Sequence, residues 1–276
     1  MPKDRATISV DDRGFLLSDG IYEVTPAYRG RLFRIEQHMR RLQKGLDALR
    51  IEYDPAGLPE MHGRLIAENA LDTKDVAIVY LQITRGAAPR THHFPPAGTP
   101  ATVYAFAQPY RRPDPTRWEL GYEAITLPDD RWARVDIKSI GLLPNVLAQQ
   151  AAVDAGVADA LLVKDGVALE GSHNNVFAVL DGVVTTHPAT HQILHGVTRA
   201  YVIELAREQG IPVEERPVSL EEMRAADEIF FTGTTTEVRP TVRLDDQPVG
   251  SGKVGPVAKA LYEAFQVGTQ AGVSAA

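Results

Sequence analysis

The sequence predicts a mixed α/β protein of two domains, and three observations carry that expectation. Short apolar runs rich in β-branched residues recur along the chain, as in VAIVYLQIT at 76–84. They alternate with stretches whose apolar residues return every three or four positions, as Met39, Leu42, Leu46 and Leu49 do. The length of 276 residues corresponds to two domains at roughly 150 residues each.

Taken in order, residues 21–24 and 32–35 read as two strands of a hairpin around Tyr28-Arg29-Gly30. The period-3.6 pattern predicts a helix over 35–49 and a second over 59–70. Strands follow at 76–84 and 101–108. The stretch YRRPDPTRW at 110–118, rich in proline and charge, reads as a linker, so the domains are drawn as 1–113 and 114–276. In the second part, strands are expected at 122–127, 159–163, 175–180, 183–185 and 228–232. Helices are expected at 144–155, 198–209 and 253–266, and the small-residue tail from Gly268 to Ala276 reads as frayed.

Composition narrows the chemistry. With 44% hydrophobic and 24% charged residues the chain is globular rather than fibrous or disordered. The absence of cysteine removes disulfides, thiolate metal sites and a cysteine nucleophile. A net charge of −7 argues against nucleic acid or an anionic membrane as the main partner. The N-terminal stretch MPKDRATISVDD lacks the apolar segment of a signal peptide, and no membrane-spanning run occurs, so a cytoplasmic protein is expected. Only seven lysines stand against 22 arginines, which leaves few amines able to condense with a carbonyl.

Five motifs could carry chemistry. Lys138 in RVDIKSIGLLPN lies between Val135, Ile137 and Ile140, a setting that desolvates an ammonium and favours a nucleophilic amine, although taken alone such a lysine is more often one that snorkels at a strand end. Glu170 closes an apolar run before a Gly-Ser-His-Asn-Asn turn, where a carboxylate can pair with a protonated ring nitrogen or stand as a solvated turn acid. Gly196, Val197 and Thr198 open an amphipathic helix, a ready anion site or an ordinary N-cap. The loop around Gly233, Thr234, Thr235 and Thr236 offers small hydroxyl donors suited to phosphate. Arg85, Arg90, His92 and His93 form a basic loop closed by prolines, suited to docking a carboxylate. His187, His191 and His195 recur every four residues, but Pro188 and Gly196 interrupt the stretch, and no metal site is expected.

In order and spacing, DDRGFLLSDGIYE, QHMRRL, TRGAAPRTHHFP, DIKSIGLLPNVLA, EGSHNNVF, HGVTR and TGTTTEV resemble the class IV aminotransferases, and within them the group acting on D-amino acids. The resemblance covers the chain from about Ile8 to Phe265. It implies the fold-type IV pyridoxal-phosphate architecture: a small N-terminal α/β domain, a larger C-terminal α/β barrel-like domain, and a homodimer with active sites between domains and subunits. It implies pyridoxal 5′-phosphate carried by Lys138, whose amine also moves the proton at the substrate Cα. Glu170 matches the acid that pairs with the pyridine nitrogen, and Leu194 a residue packed against the ring. Arg41, Val197, Thr198 and Thr234 match the phosphate-binding positions. Tyr22, Arg90 and His92 match the carboxylate trap, the last two supplied by the neighbouring subunit. Small-molecule amino and oxo acids are the implied substrates. Branched-chain L-amino acid transaminases and aminodeoxychorismate lyases share the lysine and the acid, whereas Tyr22 and Pro89-Arg90-Thr91-His92 favour D-amino acids. The chain departs from the pattern at His173, Asn174 and Gly233, where the best-known members carry serine.

Overall fold

The computed structural model describes residues 2–271. The chain divides into two compact units, one of residues 1–111 with 137–142 and one of 112–136 with 143–276. In the first, a 3-10 turn at Lys3–Arg5 precedes α1 (Arg13–Leu17), β1 (Gly20–Tyr28), β2 (Arg31–Leu32), α2 (Ile35–Leu49), α3 (Leu58–Glu68), β3 (Val76–Thr84) and β4 (Thr102–Tyr110). Its sheet runs β2-β1-β3-β4, antiparallel throughout, with β1 paired to β3 from Gly20↔Thr84 to Tyr28↔Val76. The apolar stripe of α2 explains where the core lies. Leu42 and Leu46 pack with Ile21, Leu58, Leu81 and Ile83 against one face of that sheet.

The segment 137–142 belongs to this unit because Ile137 is buried in the same core. The backbone beside it runs along the free edge of β1, where Tyr22 N–H donates to the Lys138 carbonyl at 3.0 Å and Ile140 N–H to the Gly20 carbonyl at 3.1 Å.

The second unit comprises α4 (Pro115–Leu120), β5 (Tyr122–Pro128), α5 (Leu143–Asp154), β6 (Asp159–Lys164), β7 (Val167–Gly171), β8 (Asn175–Leu180), β9 (Val183–Thr186), α6 (Val197–Glu208), β10 (Val213–Glu215), β11 (Val218–Ser219), α7 (Leu220–Ala225), β12 (Glu228–Gly233), β13 (Glu237–Leu244), β14 (Gln247–Pro248) and α8 (Pro256–Ala271). Its sheet follows β10-β9-β8-β12-β13-β5-β6-β7-β11, and a further pairing of β7 with β8 at Glu170↔Asn175 closes β8-β12-β13-β5-β6-β7 into a barrel. All six barrel strands feed one core, with Val176, Phe231, Leu244, Ala124, Leu161 and Ala168 among its members. The fold is thus mixed α/β with a barrel-like sheet. Among the described residues no helix is long and apolar enough to cross a membrane.

Several elements differ from the sequence expectation. The second hairpin strand is only Arg31–Leu32, because Phe33 turns back to meet Tyr28 edge-on at 5.5 Å and Ile35 already starts α2. The stretch read as a linker holds α4, started by an Asp-Pro pair in which Asp114 accepts from Thr116 N–H and Pro115 takes the first helical position. Trp118 of that helix is buried, donating to the Val238 carbonyl at 2.7 Å. The expected tail starts too early: α8 continues through Gly268 to Ala271, and residues 272–276 lie outside the described residues. β7 and β13 escaped the pattern because one is short and the other is interrupted by Arg239 and Pro240. α7 carries a Ser219–Glu222 capping box that the reading passed over.

Candidate active site

In the first unit the pleat of β1 separates two kinds of residue. Ile21 and Glu23 turn toward α2, while Tyr22 turns to the opposite face. Glu23 is fully buried and accepts from Arg41 Nε and Nη2, each at 2.7 Å. It also meets His38 Nδ1 at 2.9 Å. Burial opposes ionisation of Glu23, but the charge and hydrogen bonds of Arg41 outweigh it and hold the carboxyl far below its ordinary range. Burial dominates at His38 and pushes its pKa down, so a neutral ring donates from Nδ1 to Glu23.

On the other face, Lys138 is half-buried and its Nζ lies 4.1 Å from the centroid of the Tyr22 ring. Tyr22 stacks on Tyr80 at 5.8 Å, and Tyr80 on Phe106 at 5.2 Å. Burial, with Tyr22 and Tyr104 nearby, pushes the Tyr80 hydroxyl up to about 12, and that hydroxyl donates to Gln82 Oε1 at 2.8 Å. Lys138, Tyr22 and Arg41 are therefore all organised by β1. Arg90 and His92 stand exposed on the loop after β3, on either side of Thr91. Arg85, grouped with them in the sequence reading, is instead buried against Asp19.

In the second unit Glu170 lies at the closing pair of the barrel and is 3% exposed. Its carboxylate accepts from Arg131 Nη1, from Asn175 Nδ2 at 2.9 Å and from Leu194 N–H at 3.1 Å. Arg131 also grips Asp129, from Nε at 2.8 Å and Nη2 at 2.9 Å. Two inward carboxylates thus share one buried guanidinium. Burial pushes the Glu170 pKa up, the Asp129 charge adds to that, and Arg131 offsets part of it. Three donors occupy a carboxylate that can accept about four, so one position is left for a further donor such as a protonated ring nitrogen.

The half-buried Leu194 is joined to Glu170 through its N–H and to Asn175 through its carbonyl. Gly196 caps α6 with no side-chain hydrogen bond, and Val197 and Thr198 occupy the first buried positions of the helix. That arrangement leaves the helix start to an anion such as phosphate. Thr234 follows β12 in a half-buried turn. At the departures from the family pattern, His173 is exposed, with Nδ1 2.9 Å from Ser172 Oγ, while Asn174 is buried and donates to Asp159 Oδ2 at 2.6 Å. A Cβ placed on Gly233 would come within 3.3 Å of Asn174 Cβ. The smaller glycine therefore makes room for the larger asparagine. Between β9 and α6 the three regularly spaced histidines lie in loop, where His195 Nε2 meets the Thr190 carbonyl.

Sequence reasoning missed Glu23, His38, Asp129, Arg131 and Asn175. Glu23, His38 and Asn175 stood inside quoted motifs, with Glu23 directly after Tyr22 and Asn175 within EGSHNNVF, whereas Asp129 and Arg131 fall in none of them.

Replacing Glu23 with Gln leaves the Arg41 cation buried without its counter-charge and should cost about 3–5 kcal/mol in urea unfolding. Because the folded Glu23 pKa lies below its ordinary 4.5, its contribution is fully present above that pH and is lost as pH falls through the folded value. Unfolding midpoints measured from pH 7 downward should therefore decline on the acid side of 4.5, and less steeply in the variant.

The pattern of the family described as amino-transferase class IV matches residues 20–244. A D-alanine aminotransferase of Staphylococcus aureus is 37% identical over 263 residues, covering 95% of this chain and 92% of its own. One from Bacillus licheniformis is 39% identical over 268 residues, covering 96% and 93%. Among solved structures, the T.th. branched-chain amino acid aminotransferase with pyridoxamine 5′-phosphate superposes with a TM-score of 0.89 at 28% identity, covering 98% of this chain and 92% of its own. The Escherichia coli branched-chain amino acid aminotransferase gives 0.85 at 29% identity, covering 96% and 89%. The chain belongs to the class IV aminotransferases.

Proposed function

We propose that this protein is a pyridoxal-phosphate-dependent aminotransferase that moves the amino group of D-amino acids such as D-alanine and D-glutamate to 2-oxoglutarate or another 2-oxo acid. The observation that carries the reading is Lys138 held over Tyr22 on the edge of β1, in a chain 37–39% identical to D-alanine aminotransferases over nearly its whole length. When bound, the cofactor supplies an electron sink for the substrate Cα–H bond.

The chain supplies the rest. Lys138 would hold the cofactor through its amine and would take and return the proton at the substrate Cα. Glu170 would hold the ring nitrogen in its protonated form, since its carboxylate keeps a place for one donor beyond Arg131, Asn175 and Leu194. Leu194 would pack against the ring. Arg41, its guanidinium orientation set by Glu23, would take the phosphate, as would Val197 and Thr198 at the start of α6 and Thr234 in the turn after β12. Tyr22, Arg90 and His92 receive the substrate α-carboxylate. Donor and acceptor both carry that group, so one trap serves both half-reactions of a ping-pong cycle. Its position relative to Lys138 decides which enantiomer presents Cα–H to the amine.

We infer further that two chains pair, with Arg90 and His92 serving the neighbouring subunit. Leu143, Val146, Leu147 and Val153 of α5 stand 57–69% exposed along one side of the helix, an apolar stripe that a second copy would cover. Light scattering on the eluting protein should give the mass of two chains; a monomer would remove the shared trap.

The deciding experiment is a panel of D- and L-amino donors with 2-oxoglutarate. Turnover of D-alanine with little of L-leucine or L-valine is expected. Preference for the branched L-donors would favour the activity of the solved neighbours, and pyruvate release from aminodeoxychorismate would mark a lyase. Lys138→Ala should lose the borohydride-reducible link to the cofactor and lower kcat by at least about 10³-fold, on the scale of removing a general base. A variant that keeps the link would move the role to another amine.

A further inference from the structure

The DDRGFLLSDG motif has no part in the chemistry above, yet two of its residues, Asp12 and Arg13, are among the most buried polar groups of the first unit, 1% and 2% exposed. Arg85, directly after β3, is 6% exposed. They surround the start of the loop that carries Arg90 and His92.

That loop leaves β3 through Gly86, whose φ of +93° suits glycine, and a Cβ there would lie 2.0 Å from the Pro100 carbonyl oxygen. The two ends of the loop therefore pass against each other. Between them the chain has no regular secondary structure beyond one bridge, Asp12↔Ala87. Its shape comes from the motif beside it. Arg13 N–H donates to the Gly86 carbonyl at 2.9 Å and Ala88 N–H to the Asp11 carbonyl at 3.1 Å. Further out, Arg13 Nη1 donates to the Thr91 carbonyl at 2.8 Å.

Arg13 is itself fixed. Asp12 caps α1 by accepting from Gly14 N–H at 2.8 Å and accepts from Thr84 Oγ1 at 2.9 Å, which ties the helix to the end of β3. A side chain on Gly14 would collide with Thr84, its Cβ falling 2.3 Å from Cγ2. The single helical turn brings Arg13 and Asp19 together, Nε to Oδ2 at 2.8 Å. Asp19 also takes Arg85, from Nε at 2.8 Å and Nη2 at 3.0 Å. Arg85 in turn donates to the Leu49 and Arg50 carbonyls at the end of α2 and lies 3.7 Å from the Phe94 ring centroid. The loop is thus held at residues 86–88, at Thr91 and at Phe94. The middle contact falls between Arg90 and His92.

We propose that Arg13 is a positioning residue for substrate recognition: anchored on Asp19, it holds the Thr91 carbonyl and so sets the directions in which Arg90 and His92 meet the substrate carboxylate. This rests on the reading of Arg90 and His92 as the carboxylate trap. Arginine suits the task because its planar fork serves Asp19 through one edge and Thr91 through another, which the point charge of lysine cannot reproduce.

The test uses the holoenzyme and four proteins: Arg13→Gln, Arg13→Lys, Arg90→Ala and Arg13→Gln combined with Arg90→Ala. Arg13→Gln should raise KM for D-alanine and for 2-oxoglutarate on the order of ten-fold, the scale of a misplaced binding group, with kcat within about two-fold and cofactor affinity unchanged. Amide exchange in the 87–101 segment should quicken. On the Arg90→Ala background the same change should add at most about two-fold, because Arg13 acts through the trap. Arg13→Lys keeps a cation beside Asp19 and should still raise KM, which preserves the test if the glutamine protein fails to fold. Unchanged KM in Arg90→Ala would overturn the trap reading and this proposal with it. Raised KM in Arg90→Ala with unchanged KM in the folded Arg13 variants would overturn the proposal alone. So would losses of kcat and cofactor affinity parallel to KM, or full additivity in the double variant.

Discussion

The hydrogen bond from Tyr22 N–H to the Lys138 carbonyl is the contact around which the first unit is arranged. It sets the segment 137–142 against the free edge of β1, and the strand's alternation then decides every nearby role. Ile137 drops into the core with Ile21, and Lys138 is left on the face of Tyr22. One residue along, Glu23 faces the helices and fixes Arg41. A one-residue slip of this edge would exchange lysine for an apolar neighbour and bury the amine. Placing Lys138 beside Tyr22 thus depends on an ordinary property of pleated backbone.

The second unit solves a different problem with the same economy. Closing the barrel requires β7 to meet β8, and the residues at that seam are Glu170 and Asn175. Backbone pairing there also sets the side chains, since Asn175 donates to Glu170 and to the Leu194 carbonyl together. The Arg131 guanidinium is divided between Asp129 and Glu170, so one buried cation fixes the side chains of both.

Buried arginine–carboxylate pairs recur wherever a loop or a strand end must hold one shape. Arg41 with Glu23, Arg85 and Arg13 with Asp19, and Arg112 with Glu237 are all charge-assisted and partly or wholly withdrawn from water. Their net energetic value is modest because desolvation offsets attraction. Their directional value is large, since a guanidinium fork defines where both partners sit.

Much of the local structure was legible in the sequence. Periodicity located α2 and β3 to the residue, since amphipathic helices and buried strands are patterned by neighbours three, four or two positions away. Motif order placed Lys138, Glu170, Tyr22 and Arg41 in the family now matched across residues 20–244. Short elements such as β7 and α4 were hidden, because a few residues carry too little pattern to outweigh proline and charge. What tertiary structure alone decided were the long-range partners: that Arg85 is withdrawn into an ion pair with Asp19, that Arg13 reaches Thr91, and that Lys138 joins the strand carrying Tyr22. Side-chain type and spacing encode propensity over one or two turns of chain. Which distant carboxylate or carbonyl a guanidinium meets follows only from strand register and packing.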